Sequence, residues 1–182
     1  MNYQKTEVRA IDHIGITIPD IEQAAKFLEE AFGATAIYDT IIPSDPPMKG
    51  KESEEILGYL EGTAITHMRL MRIGDGPCIE LFKMKVLGNR KENIIPSDIG
   101  LQHFAVYTED IEETKRKVEK PGARLLKGPI QMLRKEGGEG NRFMYTITPW
   151  GSIVELISYP SPLEIESSSS LRRWKPQPGK EE

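Results

Sequence analysis

An internal repeat constrains the fold of this chain more than any other feature of the sequence. The segment IDHIGITIPDIE, which begins at Ile11, is matched by LQHFAVYTEDIE, which begins at Leu101. The two segments align His13 with His103 at an offset of 90 residues. A repeated segment of this kind indicates a repeated structural unit. The chain is therefore predicted to contain two copies of one module.

Each copy has the pattern of a strand followed by a helix and three further strands. The apolar runs at 14–18 and 104–107 predict the first strands, and Asp20 and Asp110 can cap the helices that follow. Strand-like segments follow at 35–42, 64–73, 78–84, 123–126, 142–148 and 152–159. Both halves therefore read βαβββ, which predicts an α+β fold.

The last strand of each copy provides a second correspondence. The segment CIELFKM at 78–84 is similar to IVELISY at 153–159, which aligns Glu80 with Glu155. Taken singly, a histidine in an apolar strand is more often a core residue, and a glutamate there usually faces solvent. Two histidines and two glutamates at equivalent positions favour a shared functional site.

Three segments break the repeat. Residues 43–62 are Pro-rich and then charged, and they predict a loop with a short helix that could cover a site. Residues 134–141 predict a mobile Gly-rich hairpin loop. The tail at 161–182 lacks periodicity, so we expect it to be irregular or to dock through Trp174 on a partner subunit.

Composition excludes several classes of protein. The net charge of −4, without a dominant basic cluster, argues against a nucleic-acid partner. Cys78 is the only cysteine, which excludes an internal disulfide and a thiolate metal site. No apolar stretch is long enough for a membrane span, and no secretory signal is evident at the N-terminus. We therefore expect a cytoplasmic protein that binds a small molecule.

Two βαβββ modules, each with a histidine at its first strand and a glutamate in its last, resemble the vicinal oxygen chelate superfamily. The resemblance implies the glyoxalase/bleomycin resistance/dioxygenase fold, in which pseudo-twofold symmetry joins the modules into a curved mixed sheet with a metal cleft. It implies one domain over residues 8–160, with modules at about 8–86 and 99–160. A homodimer is also expected by this resemblance.

The resemblance also implies a metal site. In glyoxalase I and methylmalonyl-CoA epimerase the ligands occupy these strand positions, so His13, Glu80, His103 and Glu155 are expected to bind one divalent ion. Two imidazoles and two carboxylates suit Zn, Ni, Co, Mn or Fe better than the all-oxygen sites of calcium. Two coordination positions would stay open on a six-coordinate ion.

A four-ligand site of this kind resembles that of the glyoxalases and epimerases, which implies a metal-dependent epimerase, isomerase or lyase. The reaction implied is abstraction of a proton next to a metal-bound carbonyl, through an enediolate. Glu155 and Glu80 are the candidate bases. Glu61, at the end of the covering loop, and His67, in the following strand, are secondary candidates for catalysis.

The substrate is expected to be a small oxygenated compound such as a keto-sugar, a cyclitol or an acyl-CoA. The opening HIGITIPDIEQA is similar to that of methylmalonyl-CoA epimerases. The segments RIGDGPCIELF and TPWGSIVELISYP and the Arg-Trp-Lys-Pro tail are closer to sugar-type epimerases such as the 2-epi-5-epi-valiolone epimerases.

Two other functions stay open from the sequence. An extradiol-type ring-cleaving dioxygenase would use Fe(II) or Mn(II) and would not use Glu80 as a ligand. A metal-free protein that sequesters a drug is the non-catalytic alternative, and the four intact candidate ligands argue against it.

Overall fold

The computed structural model describes residues 10–88, 97, 100–168 and 173–176. The chain divides into two compact units. The first contains Met1–Ile21 and Thr35–Leu87, and the second contains Glu22–Ala34 and Gly88–Glu182. The N-terminal residues 1–9, the predicted module boundaries at 8 and 99, and tail residues 169–172 and 177–182 lie outside the described residues. The single domain over 8–160 stays a prediction.

The first unit contains a five-stranded mixed sheet. Its strands are β1 (His13–Thr17), β2 (Thr35–Ile41), β3 (Met48–Lys49), β4 (Ala64–Arg72) and β5 (Cys78–Lys85). The order is β1-β5-β4-β2, with β3 paired to β4. β1 and β5 are parallel, and the other pairs are antiparallel. The segment at 43–62, called the covering segment for its predicted role, contains the predicted short helix, α2 (Lys51–Leu57).

The second unit repeats this topology. Its strands are β6 (Phe104–Tyr107), β7 (Arg124–Leu125), β8 (Ile130–Gln131), β9 (Arg142–Ile147) and β10 (Ile153–Ser158). The order is β6-β10-β9-β7, with β8 paired to β9, and β6 and β10 are parallel. Helix α3 (Ile111–Glu119) follows the first strand, and its cap is Asp110, whose side chain accepts a hydrogen bond from the Glu113 amide at 2.9 Å. The prediction of two βαβββ modules is confirmed, with one additional short strand in each.

Helix α1 (Ile21–Phe32) follows β1 in sequence, but its residues from Glu22 onward cluster with the second unit. Its apolar side chains are buried, and the Phe27 ring makes an edge-to-face contact with Trp150 at 5.3 Å between centroids. The helix ends at Gly33, whose φ of 65° lies in the left-handed region that suits glycine. The helix of the first repeat is thus part of the second unit.

The Gly-rich segment at 134–141 lies in a hairpin connection, as predicted, because it joins the antiparallel strands β8 and β9, but part of it is helical and buried. It begins with a 3₁₀ helix (Arg134–Glu136), and Asn141 at its end is fully buried. The Asn141 side chain donates to the Glu136 carbonyl at 3.3 Å and accepts from the Ser161 amide at 3.1 Å. A second 3₁₀ helix (Glu164–Ser167) packs against the first. A buried amide side chain therefore holds this segment against the residues after β10.

No helix in the described part of the chain combines the length and the apolar character that a membrane span requires. The cytoplasmic location and the homodimer stay predictions.

Candidate functional site

The first candidate pair, His13 and Glu80, lies on the parallel strands β1 and β5. The register pairs Gly15 with Glu80, so the side chains of His13 and Glu80 lie on one face of the sheet. His13 Nε2 lies 3.3 Å from Glu80 Oε2, and His13 Nδ1 lies 2.7 Å from Asp12 Oδ1. The hydrogen bond with Asp12 raises the pKa of His13, burial opposes this, and the charge of Glu80 adds to it.

The second candidate pair, His103 and Glu155, is arranged in the same way. His103 Nε2 lies 3.1 Å from Glu155 Oε2, and His103 Nδ1 lies 2.9 Å from Gln102 Oε1. Burial raises the pKa of the Glu155 carboxyl, and the neighbouring His103 and Arg173 oppose that effect. Glu155 is the less exposed of the two glutamates, with 13% of its side chain accessible against 20% for Glu80.

The donor atoms of both pairs fit a divalent metal ion. In each pair the histidine directs Nε2 toward a carboxylate, while the residue before it in sequence holds Nδ1. Metal-binding histidines are commonly oriented by such a partner on the second ring nitrogen. Within the described residues, no group of three or more His, Cys, Asp or Glu side chains could hold a metal. The sharing of one ion by all four residues therefore stays a prediction.

The covering segment brings a tyrosine near Glu80. Burial raises the pKa of Tyr59, and the charge of Glu80 raises it further, so the two side chains interact. Tyr59 and Glu61 line an open cavity of 980 Å³ in the first unit. The Glu61 side chain is exposed and lies in the turn before β4. The segment thus lies near Glu80 in the first unit, and its role as a cover of the site stays a prediction.

His67 lies elsewhere. It is buried on β4, and its Nε2 lies 3.1 Å from Asp39 Oδ2. Arg69 donates two hydrogen bonds to the same carboxylate, at 2.6 and 2.9 Å. The register pairs Leu70 with Glu80 and Arg69 with Leu81, which directs Arg69 and His67 to the face opposite Glu80. The structure therefore does not bring His67 to the His13–Glu80 pair.

Sequence reasoning missed Tyr145, which lies directly opposite Glu155 on β9. The Tyr145 ring packs edge-to-face against His103, with the centroids 5.1 Å apart. Burial and the nearby Glu155 charge raise the pKa of Tyr145, so it keeps its hydroxyl proton at neutral pH. The sequence RFMYTI does not indicate that Tyr145 lies beside Glu155, because that position is known only once the strand register is known.

A family model matches residues 12–145 and is described as the glyoxalase/bleomycin resistance protein/dioxygenase superfamily. The match covers most of the chain and includes His13, Glu80 and His103. The chain belongs to this superfamily. Glu155 lies beyond the matched residues, and its contact with His103 is equivalent to that of Glu80 with His13. The superfamily resemblance predicted from the sequence is therefore confirmed.

Other superfamily proteins and one curated relative are similar over most of the chain. A 2-epi-5-epi-valiolone epimerase from Actinomyces sp is 27% identical over 169 residues, which are 92% of this chain and 89% of that protein. A glyoxalase family protein from Bacillus cereus has a TM-score of 0.66 at 19% identity and covers 86% of this chain and 97% of its own. A mutant of FosX, a fosfomycin resistance protein from Listeria monocytogenes, has a TM-score of 0.53 at 17% identity, covering 89% and 99% of the two chains; it was solved with Mn(II) and 1S,2S-dihydroxypropylphosphonic acid. The two structures support the fold alone.

Proposed function

We propose that this protein is a divalent-metal-dependent epimerase that moves a proton next to the carbonyl of a small cyclic polyhydroxy ketone. The observation that carries the proposal is the duplicated His–Glu contact, with the same atoms facing each other in both units. Membership of the superfamily and the 27% identity to a 2-epi-5-epi-valiolone epimerase support a function of the epimerase type. A ketone of the 2-epi-5-epi-valiolone kind is therefore the first substrate to test.

The metal would be held by His13, Glu80, His103 and Glu155. A divalent ion acts as a Lewis acid that makes the carbon next to a carbonyl more acidic. The FosX structure with Mn(II) supports testing that ion first, although the chain itself does not select among Zn, Ni, Co, Mn and Fe.

The carboxylates would carry the proton. Epimerisation removes a proton from one face of a carbon and returns it to the other, so it requires two proton-carrying groups. Glu155 is the first candidate base, because burial raises its pKa and so makes its carboxylate more basic. Glu80, the equivalent residue, is the second candidate. Glu61 stays a secondary candidate, because it lines the cavity beside Tyr59.

The metal is tested by elemental mass spectrometry of purified, reconstituted protein. Wild type is expected to hold about one ion per chain, and Glu80→Gln and Glu155→Gln are each expected to lose most of it. Glu61→Gln, a carboxylate of the first unit outside the proposed ligand set, is the matched control and should keep the ion. Two independent half-sites would instead leave each single variant with its other site filled.

Other outcomes of this measurement distinguish the alternatives. Wild type that holds no metal after reconstitution contradicts the proposal and favours a binding protein of the drug-sequestering kind. Iron retained equally in Glu80→Gln favours a ring-cleaving dioxygenase.

The reaction is tested by incubating wild type with 2-epi-5-epi-valiolone in D₂O. Proton abstraction predicts replacement of one carbon-bound hydrogen by deuterium, seen as loss of its NMR signal, and appearance of an epimer. In Glu155→Gln the hydrogen signal should persist and no epimer should appear. A metal-loaded wild type that leaves the compound unchanged contradicts the proposed substrate class.

A further inference from the structure

The C-terminal segment, residues 173–176, is anchored on Tyr159, just after β10. The Tyr159 hydroxyl donates a hydrogen bond to the Trp174 carbonyl. Lys175 Nζ donates to the Tyr159 carbonyl at 3.1 Å and lies 5.6 and 5.8 Å from the ring centroids of Tyr159 and Tyr107. The Arg173 guanidinium carbon lies 5.4 Å from the centroid of the Tyr159 ring. Three successive residues of the segment therefore contact the same tyrosine.

This anchor lies on the sheet face that carries Glu155. Side chains alternate along a strand, so Glu155, Ile157 and Tyr159 point to one face. The register confirms this, because Ile157 is paired with both Tyr107 and Phe143, which pack with Tyr159 in one apolar cluster. Within the second unit, the segment therefore runs along the face that carries the candidate base.

Arg173 also joins this anchor to a second element of the unit. Its Nη1 lies 2.6 Å from Glu136 Oε1, which ties the segment to the 3₁₀ helix at Arg134–Glu136. Both charges affect residues of the candidate site. Burial raises the pKa of Glu155, and the Arg173 charge opposes that effect. Burial and the charge of Glu155 raise the pKa of Tyr145, and the charge of Glu136 adds to this effect.

The Arg173–Glu136 ion pair contributes little to stability. The two side chains are 37% and 56% exposed, and exposed pairs contribute from nothing to about 1 kcal/mol. An arginine has five N–H donors in a rigid plane, so one ion pair can orient it while other donors serve a ligand. A weakly stabilising pair beside a candidate base is better explained by positioning of the guanidinium than by stability.

We propose that Arg173 is a substrate-binding residue of the candidate site, carried there by the C-terminal segment and oriented by Glu136. The proposal rests on the proposed epimerase function. When the Glu155 carboxylate takes the proton, the C–H electron pair forms a carbon–carbon double bond and the carbonyl electron pair moves onto oxygen. The Arg173 guanidinium binds that oxygen as its negative charge develops. A proton from the second candidate group, Glu80, is then delivered to the other face of the carbon, and the electron pair on oxygen moves back to restore the carbonyl.

The test compares variants in the D₂O exchange of 2-epi-5-epi-valiolone. Arg173→Gln removes the charge and is expected to lower the exchange rate by about 100-fold, as loss of one oxyanion donor does in other enzymes. Glu136→Gln keeps the guanidinium and should lower the rate by less. Arg173→Gln should also bind Mn(II) more tightly than wild type, because a cation beside Glu155 is lost, and Glu136→Gln should bind it more weakly. A purely structural arginine would give neither the rate loss nor the opposite shifts in affinity.

Docking of the segment is followed by Trp174 fluorescence in a Trp150→Phe background. Lys175→Gln removes an anchor and should change this emission, whereas Arg173→Gln keeps the hydrogen bonds of Trp174 and Lys175 to Tyr159 and should leave the segment docked. If Arg173→Gln also changes the emission, Arg173→Lys decides: a docked lysine that recovers part of the exchange supports the proposal, and one that recovers none contradicts it.

The two proposals fail in different ways. If metal-loaded wild type shows no exchange, the proposed function is contradicted, and the role of Arg173 falls with it. If wild type exchanges the proton and docked Arg173→Gln does so at the same rate, only the role of Arg173 is contradicted.

Discussion

The Asp39 carboxylate contacts the side chains of Arg69 and His67 on the inner face of the first sheet. Its carboxylate accepts two hydrogen bonds from Arg69 and lies 3.1 Å from His67 Nε2. The hydrogen bonds with Arg69 lower the pKa of Asp39, burial opposes this, and His67 adds to the lowering. Because His67 is only 5% exposed, this network is part of the interior of the unit.

Asp39→Asn is expected to lower the free energy of unfolding by about 2 kcal/mol at neutral pH, because it leaves the Arg69 charge without its partner. The folded-state pKa of Asp39 is lowered from 3.8, so its contribution is complete above that value and is lost as pH falls through the folded-state pKa. Chemical denaturation should therefore show wild type and variant converging in strong acid. Asp75→Asn, in an exposed turn, is the matched control and should change stability little. A constant difference at all pH values would contradict the role of the charge.

Tyr145→Phe tests the residue that lies opposite Glu155. The substitution keeps the ring against His103 and removes only the hydroxyl, so stability and metal content should stay unchanged. Loss of one hydrogen bond to the substrate, about 1 kcal/mol, predicts a turnover rate about fivefold lower. Tyr107→Phe, further along the same face, is the control and should retain the wild-type rate. Equal rates in both variants would place the Tyr145 hydroxyl outside the reaction.

At the scale of the element, the 134–141 segment depends on the close approach of Gly138 to its neighbours. A Cβ at this position would collide with the Asn141 side-chain nitrogen and would lie 2.8 Å from the Pro162 carbonyl oxygen. The same Asn141 side chain binds the Glu136 carbonyl and the Ser161 amide. Packing at Gly138 therefore helps to position the 3₁₀ helix that carries Glu136.

Gly138→Ala is expected to lower the free energy of unfolding by about 2 kcal/mol, because the Asn141 network must shift to admit the methyl group. Gly76→Ala is the matched control: its Cβ would meet only the Ile73 carbonyl at 3.6 Å, an ordinary contact. Thermal and chemical denaturation of both variants give the comparison. Equal stability of the two would show that the segment adjusts without cost.

At the scale of the whole molecule, the two sequence repeats do not coincide with the two compact units. Helix α1 belongs to the first repeat by sequence and to the second unit by its contacts, including that of Phe27 with Trp150. In a fragment of residues 1–88 the apolar face of α1 would therefore be exposed. The helix would lose the burial that stabilises it.

We expect the fragment of residues 1–88 to lack a cooperative unfolding transition and dispersed amide NMR signals. Co-expression with residues 89–182 should restore both, because the second unit is then available to α1. A 1–88 fragment with a native-like spectrum and a cooperative transition would contradict this account of α1.

The sequence by itself determined the two βαβββ modules and the two His–Glu pairs. A sequence repeat implies a repeated structure, in which equivalent residues occupy equivalent positions. His13 and Glu80 could therefore be matched to His103 and Glu155 without coordinates. Strand and helix periodicity likewise depends on neighbours in sequence, and the predicted elements agree with those observed within a few residues.

Only the tertiary structure decided which other residues lie near those pairs and which lie away from them. Strand register determines that His67 lies on the face opposite Glu80 and that Tyr145 lies across from Glu155. Packing determines that α1 belongs to the second unit. Arg173 lies on the Glu155 face because it contacts Tyr159 and Glu136, and no local sequence pattern predicts these contacts. The physical reason is the same in each case: periodicity determines the face on which a side chain lies, and contacts between distant segments determine what it meets there.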